Sequence, residues 1–84
     1  MNPQTCIETM KTRLATLHPT YIEITDDSAA HKGHHPVSGG HYTLIISASA
    51  FAHQSLVKQH QLIYAALGDL LPTAIHALRI QVKP

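Results

Sequence analysis

The sequence predicts an α+β domain, a three-stranded mixed sheet with helices packed on one face. Three observations lead there. Two runs of alternating apolar residues, 21–25 and 41–47, flank a histidine-rich loop. A third alternating run, 75–83, closes the chain. Before the first run and before the last, apolar residues recur at helical spacing instead.

Asn2-Pro3 has the form of an N-cap followed by proline at the first helical position. Thr5 with Glu8 offers a competing capping box one turn on. Ile7, Met10, Leu14 and Leu17 then follow an amphipathic helical period. His18-Pro19 ends the helix, because the residue before a proline is pushed out of the right-handed region. In "YIEIT", Ile22 and Ile24 share one face of a strand, which Asp26, Asp27 and Ser28 stop. After the loop, "HYTLIIS" puts Tyr42, Leu44 and Ile46 on one face. The two strands are expected to pair antiparallel across the loop.

From Gln54 the period is helical again. Leu56, His60, Ile63 and Leu67 form one stripe, widened by Val57, Tyr64 and Leu71. Gly68 can end this helix, residues 70–73 can add a short turn, and Pro72 blocks simple continuation. In the last run, His76, Leu78, Ile80 and Val82 share one strand face. This strand is expected to return beside the first, which mixes parallel and antiparallel pairing.

An 84-residue chain that is 44% hydrophobic and 13% charged fits one globular domain over 1–84. A net charge of +1 with neutral histidines gives no electrostatic signal for nucleic acid. Cys6 is the only cysteine, so no internal disulfide can form and a reducing compartment is the economical inference. The first residues lack a signal peptide's apolar core, and no apolar run reaches the roughly 20 residues of a membrane helix. A cytoplasmic protein is therefore expected.

The chemistry is concentrated in the histidines. Four of the eight fall within "HKGHHPVSGGHY", residues 31–42. His31, His34 and His35 come close to a spacing that lets imidazoles converge on zinc or copper. Against a closed zinc site stand Gly33, Gly39 and Gly40, and the lack of a second-shell carboxylate nearer than Asp26 or Asp27. His18 stands at a helix end, where a cation is favoured, and His53 has no visible partner. His60, on the apolar stripe, reads as a hydrogen-bonded histidine of the core. His76 stands at a strand's beginning, equally a core-edge residue and a ligand on a rigid element. His41 reads as the entry to the second strand.

Enzymatic constellations are weak. No serine lies in a nucleophile-elbow context, and Asp26-Asp27 reads as a strand-terminating turn. Cys6 reads as a half-buried, inert thiol. No nucleophile, base and orienting group come together, so no enzyme is expected.

Taken in order, "ITDDS", "HKGHH", "GGHYTLIISASAF" and "VKQHQLIYAALGDLLPTAIHAL" resemble the BolA-like family over nearly the whole chain. The resemblance implies the αββααβ arrangement of the BolA fold, which is like a class II KH domain. It also implies a non-enzymatic partner of a monothiol (CGFS) glutaredoxin, the two forming a heterodimer that holds a bridging [2Fe-2S] cluster. The role implied is iron-sulfur cluster assembly, trafficking or iron regulation. In that frame the histidine of "HAL", His76, is one metal ligand. The other is a loop histidine, His31 or, with a slipped register, His34. The partner's cysteine and glutathione complete the set, so no cluster is expected in the isolated chain. A histidine pair on one iron makes such a cluster less reducing.

Two other functions stay open. The KH-like topology also suits a small DNA-binding transcriptional regulator. The run Gln59-His60-Gln61 thins the basic patch common in the family, however, and the GXXG clamp of KH domains is absent. A self-contained zinc or copper binder is the third reading.

Overall fold

The computed structural model describes residues 2–27 and 40–84. Its elements are α1 (Pro3–Leu14), β1 (Pro19–Asp26), β2 (Gly40–Ala48), α2 (Leu56–Leu67) and β3 (Ile75–Val82). Single 3-10 turns at Ala15–Leu17, Ser49–Phe51 and Gly68–Leu70 join them. This is the predicted α+β fold, with two α-helices and a mixed sheet. The extra helix of the αββααβ pattern is one 3-10 turn. Gly68, at φ 56°, ends α2, and Pro72 lacks the N–H that would carry the turn onward.

Asn2, not Thr5, caps α1. Its Oδ1 accepts from the Thr5 amide at 2.8 Å, so the helix begins at Pro3. His18 does leave the right-handed region before Pro19, but through a left-handed conformation at φ 57°. Ser55 caps α2 by accepting from the Lys58 amide at 3.1 Å.

β2 is the middle strand, antiparallel to β1 and parallel to β3. The expectation that β3 returns beside β1 is corrected. A parallel pair needs a crossover, which α2 supplies between β2 and β3, so the consecutive strands become neighbours. Three rows of side chains cross the sheet on the helix side: Ile22–Ile46–Val82, Ile24–Leu44–Ile80 and Asp26–Tyr42–Leu78. Tyr42, Leu44 and Ile46 are buried, as their alternation predicts. Cys6, Met10 and Leu14 from α1 and Ile63 and Leu67 from α2 close the core above them. Cys6 is 1% exposed, fully buried where half-burial was expected.

The apolar stripe of α2 is narrower than predicted. Ile63 and Leu67 are buried and Leu71 packs on the core, but Leu56, Val57 and Tyr64 are exposed and His60 is only half-buried. The apolar positions cover more of the helix circumference than a two-layer fold can shield, so one flank stays in water. His60 is accordingly no core histidine.

α1 and α2 are tied at one end by Arg13. Its Nη1 donates to the Leu67 carbonyl at 2.8 Å and to Asp69 Oδ1 at 2.6 Å. This pairing holds the exposed Asp69 carboxyl below its ordinary range. At the other end, burial first and the neighbouring Cys6 thiol second push the Tyr42 phenol well up, so it stays protonated.

Two expectations follow. A Cβ on Gly40 would sit 2.5 Å from Tyr42 Cε2 and 2.7 Å from its hydroxyl. The ring is 3% exposed, so yielding to the new methyl means disturbing the side chains packed around it. Gly40→Ala should therefore cost about 1–3 kcal/mol in urea unfolding. For Asp69, a lowered folded pKa means stability that is present above the ordinary carboxylate range and lost as pH falls through the folded value. Thermal midpoints of wild type and Asp69→Asn should differ near neutral pH and converge in acid. A gap independent of pH would show that the ion pair is not its source.

Candidate functional site at the bulged end of the sheet

The sequence puts an apolar residue at 75 and then at 78, 80 and 82. No regular strand turns all four to one side, because strand side chains alternate. All four nevertheless belong to the core, Ile75 buried outright and the others packed against it. The register reconciles them. Gly40 pairs with Ile75, but His41 pairs with Ala77, so β3 advances two residues while β2 advances one. His76 is the extra residue of a β-bulge, a device that re-aims a side chain.

His76 is exposed and does not share the face of Leu78, Ile80 and Val82. The sequence-based placement on that face is thereby corrected. The bulge sets its ring beside that of His41, with ring centres 5.3 Å apart and planes tilted by 39°. His41 alternates away from Tyr42, on the side of the sheet the helices leave open. The sequence reads His41 as the entry to the second strand, where it stands; that it neighbours His76 was signalled only by the phase break between Ile75 and Leu78.

The same end of the sheet anchors the histidine-rich loop. β1 stops at Asp26 and β2 starts at Gly40. The Asp27 amide donates to the His41 carbonyl at 2.7 Å, and the Gly40 amide to the Ala74 carbonyl at 3.0 Å. Both residues flanking 28–39 are thus held by the backbone that carries His41 and His76. His31 and His34, the other predicted ligands, lie outside the described residues, as does His35.

Beside the histidines lies an open depression of about 530 Å³, lined by Asp27, His41, Thr43, Ala77, Leu78 and Arg79. The Thr43 hydroxyl donates to Asp27 Oδ2, which ties the end of β1 to β2. Among the described residues no third His, Cys, Asp or Glu joins the two imidazoles in a metal-binding group. A second depression, of about 560 Å³, lies at the far end of the strands against Phe51, Gln59, Val82 and Lys83. Among the described residues that line it there is no His, Cys, Asp or Glu side chain.

Of the remaining histidines, His53 is exposed in the turn before α2, at φ 62°, and His18 is exposed beyond α1. Among the described residues no helix is long and apolar enough to cross a membrane.

Comparison with known proteins gives the frame its name. A family model described as BolA-like protein matches residues 14–84. SufE-like protein 1, chloroplastic/mitochondrial, of Arabidopsis thaliana is 42% identical over 74 residues, covering 80% of this chain and 20% of that protein. Protein BOLA1, chloroplastic, of the same plant is 36% identical over 72 residues, covering 80% of this chain and 45% of that protein. The chain thus spans less than half the length of either. The solved BolA domain of SufE1 from Arabidopsis thaliana superposes with a TM-score of 0.77 at 34% identity, over 99% of this chain and 94% of that one. Both plant names are organellar, so they lend no support to the cytoplasmic placement. A family match over residues 14–84, joined to this sheet order and helix arrangement, makes the chain a member of the BolA-like family.

Proposed function

We propose that the protein is a non-enzymatic partner of a monothiol glutaredoxin and shares a [2Fe-2S] cluster with it as cargo. His76 is one ligand and His31 or His34 the other; the glutaredoxin's cysteine and glutathione supply the rest. The observation that carries the reading is the exposure of His76 on a bulge at the sheet end where both flanks of the loop are tied. A donor aimed outward from a strand serves a shared ion better than one turned into the core. Two imidazoles also suit one iron of such a cluster, as in the His₂Cys₂ Rieske type, whose potential is raised by that replacement. A chain with two ligands takes up a cluster only when a second protein completes the set. The cluster, when bound, supplies an electron-accepting iron pair; the chain's own part is to present and orient imidazoles.

The competing reading, a DNA-binding regulator, has less behind it. The open face of the sheet carries Arg79 and Lys83 but also Glu23 and Asp27. The Lys83 ammonium stands 4.4 Å from the centre of the Tyr21 ring, whose hydroxyl donates to Glu23 at 2.9 Å. Such a balanced surface offers phosphates little.

Mixing the protein with a cluster-loaded monothiol glutaredoxin should change the visible circular dichroism, and His76→Ala should abolish the change. His31→Ala and His34→Ala, compared in the same titration, identify the loop ligand. An unaltered spectrum on mixing, or the same change with His76→Ala, overturns the proposal.

A further inference from the structure

We propose that His41 is a positioning residue: its ring is the wall that holds the imidazole of His76 in one orientation, and His41 is not itself a ligand. The proposal rests on the reading of His76 as a cluster ligand and adds to it how that ligand is aimed.

His76 has little else to restrain it. As the extra residue of the bulge it stands outside the regular alternation of β3, and its side chain is exposed. Among the described residues it makes no hydrogen bond and no ion pair, and its ring lies against that of His41 with 5.3 Å between centres. An exposed side chain without such a support samples several staggered rotamers.

His41 is suited to be the fixed member of the pair. It belongs to β2, the middle strand, which is bonded along both edges. Its Nε2 is fully buried, so the tip of the ring is enclosed and the ring is kept from swinging aside. The same burial denies that nitrogen to an ion shared with another protein. The bulge makes the contact possible. In an unbroken register residue 76 would lie on the core side with Leu78, while His41 lies on the open side. The extra residue brings the ligand out, and His41 then limits where it points. A site residue whose rotamer is locked by packing loses less freedom on binding.

Such packing needs a ring and not a nitrogen, which defines the test. His41→Phe keeps an aromatic face; His41→Val removes it but suits a strand. In the isolated protein, three-bond Hα–Hβ couplings of His76 report its χ1 distribution. Wild type and His41→Phe should show one dominant rotamer, and His41→Val an average over several. With cluster-loaded monothiol glutaredoxin, His41→Val should weaken complex formation about three- to tenfold, the usual cost of immobilising one side chain. Its visible circular dichroism at saturation should match that of wild type, because the ligands are unchanged. His41→Phe should bind as wild type does. Averaged couplings in wild type, unchanged couplings in a folded His41→Val, or a folded His41→Phe as impaired as His41→Val overturns the proposal. If His41→Val does not fold, the wild-type and His41→Phe couplings still decide. If wild type forms no shared cluster, the reading of the function fails, while the couplings still show whether His41 holds His76.

Discussion

The middle strand has to serve two neighbours and one core at the same time. β2 bonds to β1 on one edge and to β3 on the other, and every second residue from Tyr42 to Ile46 is buried under the helices. A shift of one residue on either edge would turn a neighbour's whole apolar set into water. Both registers are therefore held by the same three side chains, Tyr42, Leu44 and Ile46. The rows they form with Ile22 and Ile24 on one side and Leu78, Ile80 and Val82 on the other make up the floor of the domain.

That demand is met along most of β3 but not at its start. Ile75 is buried in the core, and Leu78 has to pack against that core beside Tyr42. Residues 75 and 78 are of opposite phase in a regular strand, so β3 takes up an extra residue, His76, and exposes it. The hydrophobic constraint thus determines where an imidazole stands. The tight approach of Gly40 to the Tyr42 ring belongs to the same arrangement, since β2 enters the sheet opposite the bulge. Away from this end, the Arg13 clamp onto Leu67 and Asp69 joins the helices without touching the histidines. Packing of the helix layer and presentation of the imidazoles are consequently separable properties of the domain.

Much of this was legible in the chain. The strand phases of Ile22/Ile24 and Tyr42/Leu44/Ile46 came from alternation. The start of α1 came from Asn2-Pro3, and the end of α2 from Gly68. These features depend on neighbours a few residues away, where local sterics and one hydrogen bond decide. Less legible was the buried face of α2. Leu56, Val57 and Tyr64 look like core residues by composition, yet only the area of the covering layer decides how many apolar side chains it can hide.

The sequence by itself determined the α+β class, the order and phase of the elements, and the presence of histidines at both ends of a long loop. Tertiary structure decided that β3 lies beside β2, that the register breaks at His76, and that His41 becomes its neighbour. Those outcomes depend on pairing segments far apart in the chain. The choice among registers is made by burial of the core as a whole, which no local pattern encodes.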